Sequence, residues 1–170
     1  AHEFAHAVLP GPLTIVVRRD AEMVAAEATG GRDTVGIRVP SHPVALALLD
    51  AFGGGVAAPS ANRFGRVSPT TAEHVRADLG AGVDLVLDGG PCPVGVESTI
   101  VDVSGGEPRL LRVGGISEEA LARIAGAPVV RRTEGEVAAP GTLPSHYAPD
   151  ARVELVGAPD LEARAAQLRG

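Results

Sequence analysis

The residues best suited to chemistry lie close together in one segment, residues 57–71, whose sequence is AAPSANRFGRVSPTT. Its hydroxyl and amide side chains are those of Ser60, Asn62, Ser68, Thr70 and Thr71. A polar turn that follows an apolar run and leads into a helix is typical of anion and nucleotide sites in α/β proteins, because first-turn N–H groups face the turn. The same segment equally fits a polar loop with a helix cap.

Three further residues carry groups that could bind a substrate. Arg38 stands between Ile37 and Val39, and a guanidinium among apolar neighbours needs a partner. That partner is either a structural carboxylate or the carboxylate of a substrate, and Arg112, at the end of an apolar run, leaves the same two choices. Ser98 lies in the sequence GVEST, which does not match the nucleophile elbow G-x-S-x-G, so we consider it as a hydrogen-bonding group.

The first residues of the chain match a zinc-binding motif. His2, Glu3 and His6 match H-E-x-x-H, in which two histidines on a helix bind zinc and the glutamate activates water. The extended form of the motif fails, because Leu9 and Pro12 stand where glycine and histidine are required. A polar helix face explains the same residues, so a zinc hydrolase is a minor alternative.

Composition narrows the class of protein. The net charge is −6, and all 15 basic residues are arginine, so a broad basic surface for nucleic acid is disfavoured. The single cysteine, Cys92, allows neither an internal disulfide nor a thiolate cluster. The apolar runs are too short to span a bilayer, and we expect a cytoplasmic protein with no membrane association.

The pattern of apolar runs and turn residues predicts an α/β fold with an open, mixed sheet. Predicted strands span residues 13–18, 34–39, 56–58, 83–87, 98–103, 109–113 and 152–156. Predicted helices span residues 2–8, 43–52, 70–79, 117–125 and 161–168. A capping box formed by Thr70 and Glu73 is expected to open the third helix, and Ser117 to cap the fourth.

Several motifs occur in series: LPGPLTIVV, TVGIRVPSHPVA, AAPSANRFGRVSPTTAEHV, LDGGPCPVGVESTIVDV, LLRVGGI and SHYAP. Together they resemble the YrdC-like family, in the long, two-domain form of threonylcarbamoyl-AMP synthase. The resemblance implies a YrdC-like open twisted mixed sheet with helices, followed by a linker and the start of a second α/β domain. Residues 1–130 would be the C-terminal portion of the catalytic domain, residues 131–150 a linker with the SHYAP segment, and residues 151–170 the beginning of the second domain.

The resemblance also implies an activity. Such enzymes are nucleotidyltransferases that condense L-threonine, bicarbonate and ATP, with Mg²⁺ on the phosphates, into threonylcarbamoyl-adenylate and pyrophosphate. A partner, the tRNA threonylcarbamoyl transferase, then modifies an adenosine beside the anticodon of certain tRNAs. This chemistry needs aligned reactants, neutralised phosphate charge and exclusion of water more than covalent catalysis, so no residue is assigned as a covalent or acid–base catalyst.

Positions that match the family's motifs acquire expected roles. L-Threonine would be bound by Arg38, Ala58 and Ser98. ATP would be bound by Thr34, Ser60, Asn62, Ser68, Arg112 and Tyr147. In this scheme Arg38 grips the threonine carboxylate, Asn62 completes an S-x-N signature, and Tyr147 folds back from the linker as part of a lid.

One signature of the family has no counterpart. The Lys-x-Arg pair expected near the N-terminus is missing, and the chain contains no lysine at all. We therefore expect a fragment that lacks the N-terminal part of the catalytic domain, together with the lysine that would neutralise the triphosphate.

Two alternatives from other classes remain. A carbamoyltransferase of hydrogenase maturation shares the domain, but SHYAP and the lack of zinc-finger or acylphosphatase segments disfavour it. A non-catalytic RNA-binding module that contacts tRNA is the other, and the net charge of −6 argues against it.

Overall fold

The computed structural model describes residues 1–131 and 154–168, and these ranges contain both helices and strands. The helices are α1 (His2–Val8), α2 (Pro43–Phe52), α3 (Ala72–Leu79), α4 (Glu118–Ala125) and α5 (Leu161–Leu168). The strands are β1 (Leu13–Arg18), β2 (Thr34–Ile37), β3 (Thr99–Asp102), β4 (Arg109–Arg112) and β5 (Val130–Arg131). No helix in the described part of the chain has the length and apolar character needed to cross a bilayer.

The strands form one five-stranded sheet in the order β2-β1-β3-β4-β5. Strands β1 and β2 are antiparallel, β1 and β3 parallel, β3 and β4 antiparallel, and β4 and β5 parallel. The predicted open, mixed α/β sheet is therefore confirmed.

The core lies between the sheet and two helices. Strand β1 alternates as expected for a half-buried strand, with Leu13 and Ile15 buried and Thr14 between them partly exposed. Phe4 of α1 and Leu121 of α4 pack into the same buried cluster. Burying a side chain of this size contributes roughly 1.5–3 kcal/mol, so these contacts anchor both helices on the sheet.

Two predicted strands are wrong, and a third has no strand conformation in the part that the structure describes. Residues 56–58 and 83–87 have no strand conformation, and Leu85 is 74% exposed. The part of 152–156 that the structure describes, residues 154–156, is also outside any strand. An apolar run alone does not make a strand, because its N–H and C=O groups need a neighbouring strand, and within the described residues none pairs with these segments. The predicted strand at 34–39 is also two residues shorter, ending at Ile37.

The helix ends follow the predicted caps in two cases and differ in a third. Helix α2 ends at Gly53 in the left-handed conformation, and the Ser117 side chain accepts a hydrogen bond from Ala120 N at the start of α4. The capping box at Thr70 is wrong, because Thr71 is the N-cap residue and accepts from His74 N. Glu73 therefore stands one position too early to complete a box.

Candidate functional site

The sheet register brings three polar side chains together where strands β1, β3 and β4 begin or end. Leu13 of β1 lies opposite Thr99 of β3, and Ile100 lies opposite Arg112 of β4. The start of β1, the start of β3 and the end of β4 therefore meet. Thr14, Ser98 and Arg112 converge at this edge.

These three side chains form a hydrogen-bonded network. The Ser98 side chain belongs to a residue that is only 7% exposed, and its Oγ lies 2.8 Å from Thr14 Oγ1. Arg112 donates to Ser98 twice, from Nε to the backbone oxygen at 2.9 Å and from Nη2 to Oγ at 3.0 Å. The guanidinium is therefore held in a fixed orientation on a buried hydroxyl.

Glu97 extends the network toward the polar segment. Its Oε2 lies 3.5 Å from Arg112 Nη2, with the two side chains 28% and 13% exposed. Its Oε1 accepts a hydrogen bond from the Ser68 hydroxyl. Ser68 and Ser98, far apart in sequence, are thus connected through Glu97 and Arg112.

Sequence analysis missed Thr14 and Glu97. The signal for Glu97 was present, because the charge of Arg112 requires a partner and Glu97 lies directly before Ser98. Thr14 gave no signal, since a threonine in an apolar strand is ordinary.

A glycine pair lets two backbone segments approach at this edge. A Cβ on Gly114 would lie 2.2 Å from Glu97 O and 2.5 Å from Thr99 N. The next residue, Gly115, donates from its N–H to Glu97 O at 3.2 Å. The backbone that carries Glu97 and Ser98 is therefore held by the glycines that follow Arg112.

Arg38 lies just beyond β2 rather than inside a strand. Its residue is exposed, and its Nε donates to Gly11 O at 3.1 Å. Gly11 in turn donates to Val39 O at 2.9 Å, and Pro12 O accepts from Thr99 N at 3.0 Å. Arg38 is thus fixed to the loop that runs past Thr99 into β1. The expectation of a buried charge in an apolar strand is wrong, because β2 ends at Ile37.

The polar segment borders a cavity of about 310 Å³. It is lined by Asn62, Val67, Ser68, Pro69, Thr70, His74 and Asp78. The Asn62 amide nitrogen donates to Arg63 O at 3.0 Å and to Arg66 O at 3.1 Å, which closes the turn. Arg66 is tied to helix α3 by an ion pair of 2.8 Å with Asp78.

The other residues to which the motifs assign a role are not part of the network of Ser98 and Arg112 in the described part of the chain. Ala58 and Ser60 lie in exposed, irregular backbone before the cavity. Thr34 pairs with Arg18, at the opposite end of β1 from Leu13. Tyr147 and the SHYAP segment lie outside the described residues. The structure therefore unites Ser68, Ser98 and Arg112 but gives no contact between Thr34 and that network.

The zinc hypothesis lacks a third ligand. His2 and His6 are both exposed on α1. Among the residues that the structure describes, no group of three or more histidine, cysteine, aspartate or glutamate side chains could hold a metal. A polar helix face accounts for the motif.

Comparison with known proteins agrees with the motif series. The Sua5/YciO/YrdC family model, described as telomere recombination, matches residues 1–114. A second model, described as the C-terminal domain of threonylcarbamoyl-AMP synthase, matches residues 116–169.

Curated relatives and a solved structure agree with both family models. The chain is 42% identical over 155 residues to the threonylcarbamoyl-AMP synthase of Pyrococcus abyssi, covering 88% of this chain and 45% of that protein. It is 40% identical over 156 residues to the Bacillus subtilis synthase, covering 89% of this chain and 45% of that protein.

A crystal structure of P. abyssi Sua5 complexed with L-threonine superposes with a TM-score of 0.81 at 39% identity, over 88% of this chain and 45% of that chain. The chain thus spans a little under half the length of these relatives. On the match over residues 1–114, the chain belongs to the Sua5/YciO/YrdC family.

Proposed function

We propose that the protein containing this chain is an L-threonylcarbamoyladenylate synthase. It joins L-threonine, bicarbonate and ATP into threonylcarbamoyl-AMP and pyrophosphate, and passes the product in the cytoplasm to a tRNA threonylcarbamoyl transferase. The curated relatives of similar sequence bear the name of this enzyme, and the similar P. abyssi Sua5 was crystallised with L-threonine.

The observation that carries the proposal is the contact between Ser98 and Arg112. In the proposed roles, Ser98 binds threonine and Arg112 binds ATP, and the two side chains are joined at 3.0 Å. A condensation requires its two substrates to lie next to each other, and these residues would hold them there. We propose in addition that Arg38 and Ala58 complete the threonine site.

The other ATP contacts are proposed from the motifs alone. They are Thr34, Ser60, Asn62, Ser68 and Tyr147. The division into a catalytic portion at 1–130, a linker at 131–150 and the start of a second domain at 151–170 is likewise a proposal.

In the proposed reaction the amine of threonine and bicarbonate form a carbamate with loss of water. A carbamate oxygen then bonds to the α-phosphorus, the bond from that phosphorus to the bridging oxygen breaks, and pyrophosphate leaves with the electron pair. Arg112 would stabilise charge on the phosphates, and Arg38 would hold the carboxylate so that the carbamate faces the phosphorus. The linker would exclude water, which hydrolyses both the carbamate and the acyl-adenylate.

We propose that Mg²⁺ enters with ATP. When bound, it would neutralise phosphate charge. The site fits a metal held chiefly by phosphate oxygens, because Mg²⁺ commonly keeps waters and substrate phosphates as ligands. In the described residues, the only carboxylate in the network of Ser98 and Arg112 is that of Glu97, which already contacts Arg112 and Ser68.

The test is pyrophosphate release from ATP by the complete gene product, that is, this chain with any residues that its reading frame adds. We expect release that requires both threonine and bicarbonate. Release that ignores either one, or none from a folded protein, would contradict the proposal. Salt-sensitive tRNA binding without turnover would instead favour the RNA-binding module.

A further inference from the structure

Thr14 lies on the face of the sheet that is opposite the core. Its neighbours Leu13 and Ile15 are buried with α1 and α4, so the Thr14 side chain points the other way and is partly exposed. Its methyl group faces Gly36 of β2, where a Cβ would lie 3.2 Å from Thr14 Cγ2. Its hydroxyl is directed toward β3, with Oγ1 2.8 Å from Ser98 Oγ. A contact on either side therefore orients this side chain.

The two hydroxyls of Thr14 and Ser98 keep one proton for a ligand. Each hydroxyl has one proton and two lone pairs, and one of the two protons is used in the bond between them. Arg112 Nη2 donates to Ser98 Oγ at 3.0 Å and occupies a lone pair there. Among the described residues neither hydroxyl has a further hydrogen-bond partner, so one proton remains.

Burial and charge place the remaining proton on Thr14. Ser98 is only 7% exposed, whereas Thr14 is partly exposed, and a buried donor without a partner costs more than one that water reaches. A chain of hydrogen bonds from Arg112 to Ser98 and on to Thr14 also turns each proton away from the cation, and each bond polarises the next. Thr14 therefore ends the chain as a donor, and its proton suits a negatively charged oxygen.

Thr14 stands between the two arginines of the site. Ile15 lies opposite Ile37 in the antiparallel ladder, and the same register continued by one residue sets Arg38 opposite Thr14, on the same face of the sheet. On the other side of β1 the sheet continues through β3 to β4, which ends at Arg112. Neighbouring strands are about 4.8 Å apart, so Thr14 is one strand from Arg38 and two strands from Arg112.

We propose that Thr14 is a further substrate-binding residue, which donates its hydroxyl proton to an oxygen of the carbamate. The role depends on the proposed function, in which Arg38 holds the carboxylate of threonine and Arg112 the phosphates of ATP. The carbamate forms between these two groups and is negatively charged, so a donor at Thr14 stabilises it there. The ammonium group of free threonine has no lone pair and cannot accept this proton.

The test compares two measurements on the complete gene product. Calorimetry with L-threonine alone gives the dissociation constant of the free amino acid, and pyrophosphate release at varied bicarbonate gives kcat/KM for bicarbonate. Thr14→Val keeps the shape of the side chain and removes its hydroxyl proton. It should lower kcat/KM for bicarbonate about tenfold or more, because a hydrogen bond to a charged oxygen is lost. The dissociation constant of threonine should change less than about twofold, because free threonine does not use this bond.

Thr14→Ser separates the role of the hydroxyl from that of packing. Serine keeps the proton and loses the methyl group that faces Gly36, so it should restore kcat/KM for bicarbonate to within about threefold of the unchanged protein. A purely structural role would give the opposite order, because valine fills the space that serine leaves empty. Thermal unfolding checks that both variants fold, and Thr14→Ala takes the place of Thr14→Val if valine is not tolerated.

An unchanged kcat/KM for bicarbonate in folded Thr14→Val would overturn the proposal. Equal losses in Thr14→Val and Thr14→Ser would overturn it too, because the hydroxyl would then not matter. Weaker binding of threonine alone, by the same factor as the loss in kcat/KM, would contradict the assignment to the carbamate.

Thr29→Val is the matched control. Thr29 lies between β1 and β2, is partly exposed like Thr14, and donates from Oγ1 to the backbone oxygens of Ala26 at 3.0 Å and Arg32 at 2.9 Å. The same substitution there should leave both constants unchanged. Absence of bicarbonate-dependent release from the unchanged protein would contradict the proposed function alone, whereas full efficiency of Thr14→Val would contradict only the role of Thr14.

Discussion

At the scale of single residues, the site consists of short polar contacts that each have a fixed direction. Arg112 donates two hydrogen bonds to Ser98, and Arg38 donates one to Gly11. Guanidinium groups held in this way lie in a defined plane, and a planar fork of donors suits carboxylates and phosphates. The two arginines differ in surroundings, since Arg112 lies in the buried network and Arg38 is exposed beside it.

Arg38→Ala should raise the KM for threonine about tenfold and change the KM for ATP less than twofold. The reason is that a lost charge-assisted hydrogen bond costs about 1.5–3 kcal/mol, and only the carboxylate of threonine would use this arginine. Steady-state pyrophosphate release checks the change, with Arg18→Ala at the exposed end of β1 as the control. An equal change in both KM values would contradict the assignment.

Arg112→Lys should raise the KM for ATP at least tenfold and that for threonine less. An ammonium keeps the charge but loses the fork that reaches both the backbone oxygen and the hydroxyl of Ser98. The same assay measures both constants, and Arg123→Lys on the exposed side of α4 is the control. A lysine that fully replaces the arginine would show that charge alone matters there.

At the scale of elements, the network depends on how closely β3 approaches the segment after β4. Gly114→Ala places a methyl group 2.2 Å from Glu97 O and 2.5 Å from Thr99 N, so backbone must move. We expect a loss of roughly 1–3 kcal/mol in stability and a fall in kcat/KM for ATP as Glu97 is displaced.

Gly105→Ala is the control for that change, because a Cβ there meets nothing within 4 Å. Thermal unfolding and pyrophosphate release are measured together. Unchanged stability in Gly114→Ala would mean that the backbone segments separate freely.

Helix α4 supports the site by packing on the sheet, and its N-cap gives a second test. Ser117→Ala should lower stability by about 1 kcal/mol, because Ala120 N loses its acceptor. The pKa of Glu119 is lowered first by its backbone hydrogen bond and then by Ser117. The stability that ionised Glu119 gains from these hydrogen bonds is present above the ordinary carboxyl pKa. It is lost as the pH falls through the lower pKa of Glu119 in the folded protein.

The pH dependence checks the cap. Chemical denaturation of the unchanged protein and of Ser117→Ala, at neutral pH and in acid, gives the free energy of unfolding of each. The difference between the two free energies should narrow as the pH falls. Ser117→Asp, which keeps an acceptor, should retain most of the stability. A difference that is the same at every pH would contradict the link to Glu119.

At the scale of the whole molecule, one core joins the sheet to α1 and α4. Leu121 is fully buried in that core, so Leu121→Ala should lower the free energy of unfolding by about 2–5 kcal/mol. Met23→Ala, at a residue that is 82% exposed, should change it by less than about 0.5 kcal/mol. Denaturant unfolding of the complete gene product measures both, and equal effects would mean that α4 does not contribute to the core.

Local sequence patterns determined the bounds of several helices and of one strand. Helix α1 and strand β1 have the predicted bounds, as do α2, with its stop at Gly53, and α5. Each of these segments is defined by signals in its own sequence, namely apolar spacing, a proline that breaks the helix, or a left-handed glycine. The motif series likewise predicted the family from sequence alone, because the order of several motifs is far more specific than any one of them.

Only the tertiary structure decided which segments became strands and which polar groups met. Residues 83–87 are mostly apolar like β1, yet β1 pairs with other strands and they do not, because strand formation needs a partner that local sequence cannot supply. Thr14 and Glu97 join the network of Ser98 and Arg112 only because the sheet register places β1 beside β3 and β3 beside β4. The hydrogen bond from Ser68 to Glu97 is a contact across 29 residues, which sequence spacing does not reveal.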